Sequence, residues 1–315
     1  MSQESSPSAG PLKVFLWATP RSMSTTFLKC MTFVPDTVAW FEPFLQTRTY
    51  SLVENPSVSD SPNYKMLEKS GGQAVIDKLQ SGYDASDKTF DWITGQLEGD
   101  YLGKKLVFVK DIAPENKSLY DKIPKGFRHT ILIRHPRKTL ESAARIVLKQ
   151  QNTGSAMREG FALDDIERHR YCMFLSELLN HLKTEGIESR PIIIDSDEFL
   201  KDPKGMLEAY CTEVDIPYSD DLLTWQPGDE VMTNRWMVPK QVILNFRTIG
   251  MHDSTFSSTG FHKSFTAAKK APSGSAQEGD QLLQMLPPEL AVKFGEHLAQ
   301  ELPFYEDMFA ERLRV

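Results

Sequence analysis

Apolar residues gather into five short runs along the chain: "KVFLW" (13–17), "TVAWF" (37–41), "LVFVK" (106–110), "HTILI" (129–133) and "PIIID" (191–195). None alternates cleanly with polar residues, which predicts strands covered on both faces, as in parallel sheets. The segments between them carry helical spacing instead. Phe174, Leu175, Leu178, Leu179 and Leu182 fall on one helical stripe, and "PPELAVKFGEHLAQEL" opens on prolines and places Leu290, Phe294 and Leu298 four apart. Strands alternating with helices predict an α/β fold with a doubly wound, mostly parallel sheet flanked by helices. Three stretches break the rhythm: 51–75, rich in Ser, Pro, Asn and Gly; 150–162; and 264–281, small and polar. They read as long loops, which on an α/β scaffold serve as lids, substrate walls or plain surface insertions.

The composition narrows the class. A chain of 315 residues that is 40% hydrophobic and 25% charged can bury a core without disulfides or metals. Residues 1–11 lack an apolar core, so they read as a disordered tail rather than a secretory signal, and 12–315 as one α/β domain. Cys30, Cys172 and Cys211 form no CxxC pair, which argues for a reducing, cytoplasmic setting and against zinc. No apolar run reaches the roughly 18 residues of a membrane span. The net charge of −7 argues against nonspecific nucleic-acid binding but leaves room for a local basic pocket.

Such a pocket is suggested by "PRSMSTTF" (20–27), which follows the first strand directly. In an open α/β sheet, ligands bind beyond the carboxyl ends of the strands. The first amides of the next helix lack intrahelical partners and sit at the positive end of its dipole. Arg21 adds planar donors, and Ser22, Ser24, Thr25 and Thr26 add hydroxyls, a set suited to a tetrahedral oxyanion. The Walker pattern G-x-x-x-x-G-K-[ST] is absent, which disfavours a kinase of that type. A helix cap with incidental serines is the structural alternative.

Later segments sharpen the picture. "PRSMSTTF" resembles the phosphosulfate loop of the sulfotransferase family, P-[KR]-S-G-T-T, and "VKDIAP" (109–114) resembles its V-K-T-H-L-P. "ILIRHPRKTLESAAR" (131–145) resembles its 3′-phosphate segment, R-N-P-[KR]-D-x-x-x-S, with Arg134 and Ser142 eight apart as in the family. "IIIDSDEFLKDPKGMLEAYCTEVDIP" (192–217) resembles the strand and helix that follow. The likeness runs in the family's order from about Val14 to Pro217. It implies a P-loop NTPase-like sulfotransferase fold. It also implies sulfuryl transfer from 3′-phosphoadenosine 5′-phosphosulfate (PAPS) to a hydroxyl or amine of a small-molecule acceptor, releasing adenosine 3′,5′-bisphosphate (PAP), with no metal.

By motif position, the resemblance assigns the 5′-phosphosulfate to Arg21, Ser22, Met23, Ser24 and Thr25, and the 3′-phosphate to Arg134 and Ser142. Met23 stands where the family has Gly, and Thr26 where many cytosolic members have an adenine-stacking aromatic. Trp17 is either that stacking partner or a core residue. Arg137 and Lys138 either extend the basic patch or face solvent. The family's R-K-G triplet is missing, and Arg247 with the nearby Ser-Ser-Thr-Gly run is the substitute.

Lys110 matches the family's Lys, but Ile112 occupies the place of the catalytic His. Glu42 lies 21 residues after Arg21, the spacing of the catalytic Glu in tyrosylprotein sulfotransferases, and is the first candidate base. Asp111 is the second. A salt bridge from Glu42 to Arg21 or Lys110 is its structural alternative.

The seven histidines, including His135 and His252 near inferred loops, show no ligand spacing and read as surface or structural residues. Phe44, Tyr50, Trp225, Trp236 and Phe246 fit an apolar acceptor pocket or a core equally well. A noncatalytic PAP- or PAPS-binding protein is the alternative function. The oligomeric state stays open between monomer and homodimer.

Overall fold

The computed structural model describes residues 10–143, 170–249, 252–261 and 288–315. Its strands are β1 (Leu12–Ala18), β2 (Thr37–Phe41), β3 (Leu106–Ile112), β4 (Arg128–Ile133), β5 (Ile192–Asp195) and β6 (Trp236–Met237). They form one sheet in the order β5-β4-β1-β3-β2-β6, with every pairing parallel. The five expected strands are all present. β6 is new, and its two residues are too short to show any periodicity. The strand order reverses beside β1, since the chain first builds β2 and β3 on one side and then β4 and β5 on the other.

Register explains what collects at one edge. Ala18 of β1 pairs with Ile112 of β3 and with Leu132 of β4, while Phe41 of β2 pairs with Lys110. The residues that follow β1, β2 and β4 therefore emerge side by side with the last residues of β3.

The stretch 51–75 is a correction. It holds a 3-10 turn (Pro56–Asp60) and two helices (Pro62–Lys69 and Gly72–Ile76) rather than a loop. The residues that looked like loop markers start these elements. Asn55 and Ser61 accept the Ser57 and Tyr64 amides as N-caps, and Pro56 and Pro62 occupy first-turn positions where a missing N–H costs nothing. The expected loops at 150–162 and 264–281, and most of the tail at 1–11, lie outside the described residues.

The stripe at 174–182 belongs to the helix Tyr171–Thr184, which buries Leu175, Leu178, Leu179 and Leu182. The helix Pro288–Ala310 runs past Pro303, where a sequence reading stops, because Tyr305 and Met308 beyond the proline are buried. Glu301 on this helix accepts the Cys172 amide (2.6 Å), and Leu313 beyond it donates its amide to Ile193 of β5 (2.7 Å). No helix among the described residues is long and apolar enough to cross a membrane.

The helix after β1, α1 (Ser24–Met31), is buried along its whole length. Its Phe27 packs against Phe108, Phe199, Tyr210 and Phe261, joining the strands to the C-terminal third. Lys29, also fully buried, donates to the carbonyls of Thr255 and Phe256 (3.2 Å each). This ammonium fastens the turn at Thr255 and Phe256 onto α1. Replacing Lys29 with Met removes the charged donor from these two carbonyls, which keep only the amides of Ser258 and Gly228 and the Ser258 hydroxyl. We expect a loss of roughly 1–3 kcal/mol, read as a lower urea midpoint at unchanged slope.

Candidate active site

The chain leaves β1 through Thr19, whose amide bonds to the Leu132 carbonyl (3.2 Å). Ser22 then donates its hydroxyl back to the Thr19 carbonyl (2.6 Å), closing the loop on itself. The Ser196 hydroxyl lies within reach of the carbonyls of Ser22 (2.8 Å) and Ile133 (2.7 Å), so the loop is also tied to the ends of β4 and β5. Arg21 and Met23 both adopt φ of 60°. Met23 thus takes the left-handed geometry that glycine adopts without strain. Glu42, directly after β2, has φ of 49°. Three of the six non-glycine residues with positive φ among the described residues therefore sit at this edge. Strained backbone gathers where a fold positions chemistry.

Two motifs distant in sequence meet here. The Nε of Arg21 donates to the hydroxyl of Ser142 (3.2 Å), and Arg134 donates from Nη1 to the carbonyl of Arg21 (2.7 Å). Burial, and then the neighbouring Arg134 charge, lower the pKa of Arg21. Two guanidinium groups so placed favour an anion between the ends of β1 and β4, where the strand order reverses. Arg137 and Lys138 pair instead with Glu141 and Asp197 (3.0 Å each).

Beside this corner lies a buried ionic cluster. Glu42, the residue before the helix α2 (Pro43–Tyr50), makes an ion pair through Oε1 with Lys110 of β3. Its Oε2 accepts from Gln46 one turn along (2.7 Å). Of the two salt-bridge partners considered for Glu42, Lys110 is the one observed.

Asp111 is fully buried and accepts three amides: Phe44 on Oδ2 (2.6 Å), and Ile112 (2.7 Å) and Leu45 (3.4 Å) on Oδ1. It caps α2 from a neighbouring strand. Burial, reinforced by the Glu42 charge, pushes its pKa up to about 7, against the pull of those amides and of Lys110.

Other site residues are drawn in by the C-terminal third. The Thr26 hydroxyl lies 3.3 Å from that of Thr255. His252, just before the short helix Asp253–Phe256, meets Phe41 edge-to-face with ring centroids 5.9 Å apart. Burial holds the imidazole well below its usual pKa, with the Arg21 and Lys110 charges adding to the effect. The sequence reading treated His252 as surface or structural. No local spacing could have linked it to residues more than 140 positions earlier. Arg247 lies on the helix Lys240–Ile249, and its side chain is outside the described residues.

Trp17, Trp225 and Trp236 are core residues. Trp17 stacks on Phe15 (4.0 Å) and donates to Nδ1 of His129 (3.1 Å). Trp225 stacks on Phe33, and Trp236 on Phe41. Phe44 packs against Phe15 and Trp17, while Tyr50 receives a hydrogen bond from Asn245.

No family model matches the chain. Two curated Arabidopsis thaliana proteins are similar to it. Branched-chain-amino-acid aminotransferase-like protein 2 is 25% identical over 223 residues, which is 68% of this chain and 32% of that protein. Protein 1 of the same description is 23% identical over 221 residues, 70% of this chain and 33% of that protein. The chain thus spans about a third of the length of these curated relatives.

Among solved structures, the chain is similar to the sulfotransferase domain from the curacin biosynthetic pathway. There the TM-score is 0.43 at 13% identity, covering 88% of this chain and 98% of the other. For the sulfotransferase domain of the Synechococcus PCC 7002 olefin synthase, the TM-score is 0.45 at 16% identity, covering 91% and 100%. For mouse sulfotransferase SULT7A1 complexed with PAP, it is 0.42 at 12% identity, covering 96% and 89%.

The cap formed by Asp111 can be tested directly. Asp111→Asn puts an amide donor against backbone donors, and we expect a loss of roughly 1–3 kcal/mol in thermal or urea unfolding. A carboxyl whose pKa is raised on folding contributes stability that fades as pH rises from about 4 through about 7. The deficit of the variant relative to wild type is therefore largest near the acidic end of that window and narrows toward its upper end.

Proposed function

We propose that this chain transfers a sulfuryl group from PAPS to a hydroxyl or amine of a small-molecule acceptor and releases PAP. The observation that carries this is the meeting of Arg21, Ser142 and Arg134. The first belongs to the segment resembling a phosphosulfate loop, and the other two to the segment resembling a 3′-phosphate site. Two convergent guanidinium groups and a helix N-terminus fit a doubly phosphorylated nucleotide.

PAPS supplies the activated sulfuryl group, and the work of the protein is positioning and charge stabilisation. Arg21, Met23 and the hydroxyls of Ser22, Ser24, Thr25 and Thr26 hold the 5′ end. Arg134 and Ser142 hold the 3′-phosphate, with Arg247 proposed to close over the nucleotide. Lys110 stabilises charge that develops during transfer.

Glu42 receives the acceptor proton. Its oxygens already engage Lys110 and Gln46, and each keeps a second lone pair for the acceptor. Asp111, committed to the amides of α2, holds the backbone that presents Glu42. A cytoplasmic setting belongs to the same proposal and rests on three buried, unpaired thiols.

The second function, PAP or PAPS binding without transfer, draws on Ile112 at the position of the family's His. The two separate on one substitution. Glu42→Gln should lower transfer to an acceptor panel by roughly 10²–10⁴-fold, the range for losing a general base, with PAP affinity retained. Near-normal turnover would remove Glu42 from the mechanism, and absence of any transfer by wild type across the panel would favour the binder.

Calorimetry with PAP, ADP and AMP tests the nucleotide site. Arg134→Ala should weaken PAP by roughly 1.5–3 kcal/mol, as for a hydrogen bond to a charged group, and leave ADP nearly unchanged. Equal losses on both ligands would mean that Arg134 acts through folding.

A further inference from the structure

His252 has no part in the roles set out above, yet its surroundings are those of a catalytic group. Its imidazole stands edge-on to Phe41, at 5.9 Å and 87°. The ammonium of Lys110 lies 5.2 Å from the centre of the same ring. Phe41 immediately precedes Glu42, so the imidazole, the ammonium and the carboxylate surround the end of β2. From the other side, the turn that carries His252 is pinned to α1. Thr255 approaches Thr26, and Lys29 holds the Thr255 and Phe256 carbonyls. His252 therefore lies against the end of β2, on a turn pinned to α1.

We infer that His252 is a further catalytic residue, a neutral imidazole that donates its N–H to the 5′-phosphate oxygen on which charge builds during transfer. The inference rests on the sulfuryl-transfer reading above. In the balanced step, the acceptor oxygen bonds to sulfur and its proton passes to Glu42. The sulfur–oxygen bond to the 5′-phosphate breaks, and its electron pair stays on the phosphate. His252 transfers no proton and stabilises that oxygen together with Lys110 and Arg21. A neutral donor suits this place, because a third cation beside Arg21 and Lys110 would repel both. The depressed pKa agrees with that state, its named causes being burial and then the charges of Arg21 from the loop and Lys110 from β3. A neutral imidazole used as a hydrogen-bond donor is an established catalytic device.

The test compares two nucleotides that differ only at the 5′ end: PAP and adenosine 3′-monophosphate. His252→Ala should weaken PAP by about 10- to 100-fold, the worth of a hydrogen bond to a charged group, and leave adenosine 3′-monophosphate unchanged. His252→Gln keeps an N–H donor and should recover most of the PAP affinity. The intact protein supplies a check independent of the alanine variant's folding. PAP should shift the NMR signals of the His252 ring, and adenosine 3′-monophosphate should not. Equal losses for the two nucleotides, or no loss for PAP, would overturn the assignment. So would a ring signal that ignores PAP. If wild type binds neither nucleotide, the transfer reading itself falls, and the role of His252 falls with it.

Discussion

Like charges held close together are the constraint on which this site turns. Arg21 and Arg134 share one corner, bound through the Arg21 carbonyl, and Lys110 is buried one strand away. Such a concentration of positive charge is unfavourable in a poorly hydrated site unless carboxylates or a bound anion offset it. Glu42 offsets Lys110 directly. The two guanidinium groups lie beyond it, where the sheet reverses its order. The edge therefore has a division of labour, with Lys110 matched by a carboxylate and the two guanidinium groups tied to Ser142 and to the Arg21 carbonyl.

The scaffold that holds these groups was largely legible in the chain. Buried parallel strands lack alternation, and five of them stood out as apolar runs. The helical stripe at 174–182 was equally plain. What escaped notice was governed by contacts rather than local pattern. β6 has two residues and exists only because Trp236 and Met237 find the edge of β2. Residues 56–76 looked like a loop, since the Ser, Asn and Pro that begin short helices are the same residues that build turns.

The candidate site shows the same boundary. Motif order singled out Arg21, Arg134 and Ser142, and the fold brings them into contact. The Glu42–Lys110 pair was among the alternatives because Lys110 closes one apolar run and Glu42 directly follows another. Asp111 was harder to place. It stands next to the position of the family's His, and its carboxylate also accepts amides of a helix that follows a different strand. Capping from a neighbouring strand leaves no local spacing to read. His252 was hidden for a related reason, because its relevance depends on Lys29 and Thr26 holding a distant segment against α1.

The two outer strands of the sheet carry a consequence of their own. Exposed sheet edges are templates for pairing with other chains. At one end, β6 offers a template of only two residues. At the other, β5 is four residues long, and the Leu313 amide already occupies the Ile193 carbonyl. That single bond sets Leu313 across the β5 edge, where it stands in the way of another strand pairing there.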